Sequence, residues 1–126
     1  MKILFHPIFI HFPIAFYALE LLLLIFWLKT NDPAYSRFAL FSFRLGYWVM
    51  MMAMLTGLVD GKVWKGVADQ TLSHFYAAIL VFVAYTVRAF YWRAQRLNAK
   101  IHLAGAILGN IFIAWTAYCG GRLVYL

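Results

Sequence analysis

The chain has 126 residues, of which 66% are hydrophobic and only 12% are charged. A soluble domain carries about 25% charged residues, so this composition excludes a soluble globular domain and favours an integral membrane protein. The net charge of +7 does not indicate binding to nucleic acid, because the basic residues lie between apolar segments, where they orient helices and meet anionic lipid. The single cysteine, Cys119, excludes an internal disulfide framework.

Four apolar segments follow one another along the chain. They cover about residues 3–28, 38–59, 71–91 and 101–119, and a membrane-spanning helix needs roughly 20 residues. Only helices satisfy their own backbone hydrogen bonds in lipid at this number of spans. The sequence therefore predicts one all-α domain over residues 1–126, an integral membrane four-helix up-down bundle.

Basic residues are distributed unevenly between the two predicted faces of the membrane. One face carries Lys2, Lys62, Lys65 and Arg122. The opposite face carries seven basic residues, Lys29, Arg37, Arg44, Arg88, Arg93, Arg96 and Lys100. Because cytoplasmic segments are enriched in Lys and Arg, we expect a multi-pass protein of the bacterial inner membrane with both termini in the periplasm.

The first apolar segment contains His6, His11 and Glu20, although ionisable groups inside a span are costly and mark functional sites by default. His6 and His11 are five residues apart, or about 140° around a helix, so only one of them faces the bundle interior. Pro13 has no N–H and is expected to kink the helix beside His11. His74, at the start of the third segment, is the candidate side chain opposite.

Two inward histidines on facing helices suit a haem whose iron is ligated on both sides. The sequence therefore predicts b-type haem with His11 and His74 as axial ligands, and His6 and His102 as alternatives. Small residues, aromatic rings and a cation complete the expected site: Gly57, Gly120, Phe12 and Arg122. The alternative interpretation is structural, with His6 at the interface and His74 hydrogen-bonded to Asp60.

A second polar layer is predicted nearer the cytoplasmic face. Glu20 and Arg44 are expected at similar depth on neighbouring antiparallel helices, so the sequence predicts a structural ion pair between them. The alternative is a role in quinone interaction or proton conduction together with His102. Gly105 and Gly109 have the spacing that lets one face of the last helix pack closely on a neighbour.

The whole pattern of motifs resembles a known family. Its elements are His6-Pro7, His11-Phe12-Pro13-Ile14-Ala15, Thr56-Gly57-Leu58-Val59-Asp60, His74 and Gly120-Gly121-Arg122-Leu123-Val124-Tyr125. This resembles the small four-helix bacterial membrane proteins grouped as domain of unknown function 2231. The resemblance implies a place in membrane electron transfer, because family members occur alone or joined to Rieske iron–sulfur or c-type cytochrome domains. It carries over to His11, Asp60, His74 and the glycine pair.

The sequence departs from many members by ending soon after Tyr125 and by carrying Glu20 in its first span. We therefore expect redox partners on separate polypeptides. The leading hypothesis is a non-catalytic electron-transfer subunit that binds b-type haem near the periplasmic face and meets membrane lipid, quinone, a c-type cytochrome or an iron–sulfur subunit. The alternatives are a non-redox accessory subunit of a larger complex and a quinone-interacting or proton-conducting subunit.

Overall fold

A computed structural model describes residues 6–60, 66, 71–94 and 98–125, with side chains for 8–60, 66, 71–94 and 98–121. These residues form five helices and, within the described ranges, no strand. The helices are α1 (His6–Phe9), α2 (His11–Thr30), α3 (Pro33–Asp60), α4 (Leu72–Arg93) and α5 (Ala99–Tyr125).

The four long helices, α2 to α5, are each long and apolar enough to cross a membrane. The 20 residues of α2 extend over about 30 Å at 1.5 Å per residue, which matches the hydrocarbon thickness of a bilayer. The predicted all-α fold with four membrane-length helices is confirmed. The helix α3 begins at Pro33, five residues before the predicted second segment, because a tight turn leads directly into it.

That turn holds α2 and α3 as antiparallel neighbours. Asn31 adopts a left-handed conformation with φ of 56°, and its N–H donates to the carbonyl oxygen of Trp27 at 2.8 Å, which closes the last turn of α2. The Asp32 carboxylate then accepts from the N–H of Ala34 at 2.9 Å and caps α3. Pro33 opens α3 at the position where its missing N–H costs nothing.

The predicted disruption near Pro13 is found at Ile10, the single residue between α1 and α2. Pro13 cannot donate to the carbonyl of Phe9, four residues earlier, and its ring crowds that carbonyl. The helix is therefore interrupted just before His11, and Pro13 itself is buried against the rest of the bundle.

The long helices pack in a ring. The contacts are extensive between α2 and α3, between α4 and α5, and between α2 and α5, whereas α3 and α4 are the most sparsely packed of the four neighbouring pairs. The Ser42 hydroxyl of α3 donates to the carbonyl oxygen of Phe16 in α2 at 2.7 Å. The Tyr47 and Thr86 hydroxyls, 2.9 Å apart, join α3 to α4.

Each long helix turns one stripe of residues, spaced by three, four or seven positions, toward the centre, and we call this set the buried seam. Its members are Pro13, Tyr17, Glu20, Leu24 and Trp27 in α2; Ser36, Ala39, Phe43, Gly46, Met50 and Ala53 in α3; Ala77, Val81, Tyr85, Arg88 and Trp92 in α4; and His102, Ala106, Gly109 and Thr116 in α5. This spacing is typical of helices packed nearly antiparallel in a bundle. The seam therefore determines which polar residues meet.

Candidate functional site

A buried ion pair lies on the seam between α2 and α4. The Glu20 carboxylate accepts from both terminal nitrogens of Arg88, at 2.8 Å from Nη1 to Oε1 and 2.7 Å from Nη2 to Oε2. It also accepts from the indole N–H of Trp92 at 3.2 Å. The side chain of Glu20 is fully buried and that of Arg88 nearly so, so the two-pronged geometry compensates both charges where water cannot.

The prediction that Arg44 is the partner of Glu20 is wrong, because the partner is Arg88. Arg44 follows Phe43 of the buried seam, and one residue turns the direction of a side chain by about 100°. Arg44 is therefore exposed, although its distance from the end of α3 is similar to that of Glu20 from the end of α2. The seven-residue spacing of Val81, Arg88 and their neighbours was the signal that could have identified Arg88.

His102 extends the ion pair into an aromatic cluster. Its ring stacks on Trp92 with centroids 3.7 Å apart, meets the edge of Tyr91 at 4.7 Å and lies 6.2 Å from Trp27. The side chain is buried. We call Glu20, Arg88, Trp92 and His102 the polar cluster. Its charges are matched, and aromatic rings surround its histidine.

The closely packed face predicted for the last helix lies against α4. A Cβ atom added to Gly105 would lie 3.0 Å from Nε of Arg88, and one added to Gly109 would lie 2.6 Å from the hydroxyl oxygen of Tyr85. Real Cβ atoms essentially never lie 2.6 Å from another atom, so a side chain at position 109 would force its surroundings to shift. The two glycines therefore make room in the seam for the large polar side chains of α4.

Two tyrosines separate the polar cluster from the other end of the bundle. The rings of Tyr17 and Tyr85 stack with centroids 3.8 Å apart and planes inclined by 19°, and both side chains are fully buried. The Tyr17 hydroxyl donates to the sulfur of Met50 at 3.7 Å. The Tyr85 hydroxyl has no hydrogen-bond partner within the described ranges.

Beyond the tyrosines lies a cleft of about 70 Å³ that contains one ionisable imidazole, His74. Nδ1 of His74 lies 3.0 Å from the carbonyl oxygen of Thr116. A carbonyl only accepts, so Nδ1 carries the hydrogen, and in the neutral ring the lone pair is on Nε2. A Cβ added to Gly120 would lie 3.0 Å from this ring, so Gly120 admits the imidazole. We call this region the His74 cleft.

The other walls of the cleft are almost wholly apolar, with Pro13, Met50 and Met54 among them. Ile14 and Ala117 also border it and are themselves exposed. The cleft therefore opens on the outside of the bundle, where helices of this composition meet lipid.

Of the residues predicted to hold haem, those with described side chains do not all border one cavity. His11 is exposed, Phe12 is 50% exposed, and neither borders the His74 cleft. Gly57 and Asp60 are half-buried near the end of α3. The side chains of His6 and Arg122, like Lys62 and Lys65, lie outside the described residues. Haem itself stays a prediction.

A search of the described side chains finds no group of three or more His, Cys, Asp or Glu residues that could hold a metal ion. Haem iron would need fewer protein ligands than that, because the porphyrin supplies the other donors. The donors that do border one cavity are the imidazole of His74 and the thioethers of Met50 and Met54.

Comparison with known proteins places the chain in a family. No curated protein and no solved structure matches it. A family model described as "Predicted membrane protein (DUF2231)" matches residues 2–126, almost the whole chain. The chain therefore belongs to this family of predicted membrane proteins.

Proposed function

We propose that this protein is a membrane electron-transfer subunit that binds b-type haem with His74 as an axial ligand. The supporting observation is the hydrogen bond from Nδ1 of His74 to the Thr116 carbonyl. Histidines that ligate metals almost always donate their second ring N–H to a carbonyl or carboxylate, which fixes the tautomer and the direction of the ring. Here that bond directs the lone pair of the neutral ring to Nε2.

The second ligand in this proposal is Met54 rather than His11. Met54 borders the same cleft as His74, and methionine with histidine is an established axial pair for haem iron. Met50 also borders the cleft, but its sulfur accepts from the Tyr17 hydroxyl. His11 would need a different cavity, because its side chain is exposed.

The volume of the cleft limits how haem could bind. Pockets that enclose a drug-sized ligand measure about 300 Å³ or more, and the His74 cleft measures about 70 Å³. The donor atoms fit haem, while the cavity admits only an edge of the ring, and the remainder would extend past Ile14 and Ala117.

Bound haem would supply one-electron transfer at its iron. The chain's own contribution would be to position and shield the site. The Thr116 carbonyl orients His74, Gly120 leaves space for the ring, and Pro13 and Val81 form apolar walls that exclude water. Exclusion of water and the dielectric around a metal site control its redox potential. A c-type cytochrome or iron–sulfur subunit would exchange electrons with it.

A quinol is the second candidate ligand. The small volume of the cleft and its opening to the outside favour a ring that enters from the membrane. With Nδ1 engaged by Thr116, the neutral ring of His74 accepts hydrogen bonds at Nε2. It therefore suits the donating hydroxyl of a quinol better than the carbonyl of a quinone.

The test is a reduced-minus-oxidised visible spectrum of the purified protein, before and after haem is added. Wild type and His11→Ala should show the same low-spin b-type spectrum. His74→Ala should lose haem, and Met54→Leu should become high-spin, because each variant removes one axial ligand. If wild-type protein stays colourless after haem addition, the haem proposal fails.

A colourless protein is then extracted with organic solvent and assayed for quinol. Retention that depends on His74 would support the second candidate, and its absence would leave the accessory-subunit hypothesis in front.

We also propose that both termini lie in the periplasm of a bacterial inner membrane, with the His74 cleft near that side. The support is the excess of basic residues on the opposite face. A periplasm-active reporter fused after Leu126 should be active, and activity of a cytoplasm-only reporter at the same position would reverse the orientation.

A further inference from the structure

A second cavity, of about 260 Å³, lies between α3 and α4 near the end of the bundle that carries the α2–α3 turn. These two helices are the most sparsely packed of the neighbouring pairs, and the cavity lies at their interface. Arg44 of α3 and Arg93, in the last turn of α4, both line it. Two arginines on separate helices therefore border one space.

No carboxylate in the described part of the chain neutralises either arginine. Within the described residues, the one ion pair joins Arg88 to Glu20, and neither Arg44 nor Arg93 makes an ion pair or a side-chain hydrogen bond. Both are exposed. A charged group at a membrane-spanning helix is costly unless it is paired or reaches a polar phase, so the two cations have unused capacity to bind an anion.

The rest of the cavity suits a lipid. Buried Phe43 and Trp92 form part of its lining, and Trp48, 72% exposed, stands at its outer side. Tryptophan at such positions is typical of the level of lipid headgroups. The hydrogen bond between Tyr47 and Thr86 ties α3 to α4 beside the cavity. The space is thus basic, bordered by aromatic rings and open on the side where lipid lies.

We propose that this cavity binds the phosphate of an anionic phospholipid, held by Arg44 and Arg93. Guanidinium groups recognise phosphate through paired charge-assisted hydrogen bonds, and basic pockets between membrane helices bind anionic headgroups. A lipid is favoured over free phosphate because the lining combines the two cations with Phe43, Trp48 and Trp92, and phosphate alone makes no use of apolar rings. This inference is independent of the redox proposal.

The test measures lipid binding to the full chain in phosphatidylcholine vesicles containing phosphatidylglycerol. Bromine-labelled phosphatidylglycerol should quench the fluorescence of tryptophans at the cavity more strongly than bromine-labelled phosphatidylcholine at the same mole fraction. Arg44→Gln and Arg93→Gln should each weaken this preference roughly tenfold, as expected for the loss of charge-assisted hydrogen bonds. Arg44→Lys should retain part of the preference.

Arg37→Gln is the matched control. Arg37 is exposed on α3 near the same end of the bundle but does not line the cavity, so its variant should bind phosphatidylglycerol like wild type. Circular dichroism of each variant verifies the fold. Equal quenching by the two lipids, or an equal loss in Arg37→Gln, would overturn the proposal. Displacement of the labelled lipid by inorganic phosphate would also overturn it, since it would identify free phosphate as the ligand.

Discussion

The polar cluster and the His74 cleft each contain a histidine on the buried face of a helix but differ in what surrounds it. Glu20 accepts three hydrogen bonds, Arg88 gives it both terminal nitrogens, and His102 is enclosed by aromatic rings. His74 borders a cavity that opens on the outside of the bundle. The cluster uses its polar groups to hold helices together, whereas the cleft places an imidazole beside an opening, where we propose that a ligand binds.

This difference assigns separate roles to the two ends of the molecule. A buried, fully paired network specifies how helices meet and leaves no group for chemistry. An imidazole oriented by a backbone carbonyl beside an apolar opening has the features of a binding site. The comparison therefore supports the proposal that a ligand binds at His74 and not at Glu20 and His102. Substitutions at the two ends should separate stability from binding.

The largest effect is expected from breaking the ion pair on one side. Arg88→Leu leaves the Glu20 carboxylate buried without its partner, so it should lower the free energy of unfolding in detergent by about 3–5 kcal/mol. The double variant Glu20→Leu, Arg88→Leu removes both charges and should recover most of that loss. Thermal unfolding followed by circular dichroism measures both.

Arg37→Leu is the control for this prediction, because Arg37 is exposed on α3 and makes no ion pair within the described residues. It should unfold like wild type. A double variant no more stable than Arg88→Leu would mean that the pair does not act as a unit, and the contrast between cluster and cleft would lose its main support.

A smaller effect is expected from filling the space that Gly109 leaves for Tyr85. Gly109→Ala places a methyl group where an ideal Cβ lies 2.6 Å from the tyrosine oxygen, and overpacking of this kind typically costs about 1–3 kcal/mol. Gly121, on the same helix, is the control, since an added Cβ would meet nothing within 4 Å. Gly121→Ala should leave stability unchanged or raise it slightly. Equal melting temperatures for the two variants would contradict the close packing.

Much of the fold could be predicted from the sequence because it depends on composition and length. Four apolar segments with short polar separators leave one arrangement of backbone hydrogen bonds in lipid, and four membrane-length helices are found. The need of Glu20 for a buried cation could also be predicted, since an intramembrane carboxylate is costly without one.

To choose between the two arginines, one must know in which direction each side chain points around its helix axis. The depth of a residue in the membrane does not give this direction. Arg44 and Arg88 both lie within membrane-length helices, but only Arg88 lies on the buried stripe of its own helix, together with Val81 and Trp92. The same reasoning excludes His11 from the interior. It lies two residues before the seam position Pro13, which places it on the other side of the helix. A residue spaced three or four positions from the other buried residues of its helix faces the interior, and this rule separates Arg88 from Arg44 and His11.

The smallest expected effect concerns the boundary between the two regions. The Tyr85 hydroxyl is buried with no hydrogen-bond partner in the described part of the chain, and an unsatisfied buried polar group costs about 1–3 kcal/mol. Tyr85→Phe removes that group and keeps a ring to stack on Tyr17, so it should raise the free energy of unfolding by about 1 kcal/mol. Tyr47→Phe is the matched control, because it removes a hydroxyl that is hydrogen-bonded to Thr86 and should lower stability by a similar amount. Haem or quinol binding should not change in either variant, since neither hydroxyl borders the His74 cleft.

If Tyr85→Phe is instead less stable than wild type, the hydroxyl has a partner in the membrane-embedded protein, such as an ordered water between α4 and α5. The polar cluster would then continue toward Tyr17 and the cleft instead of ending at Arg88.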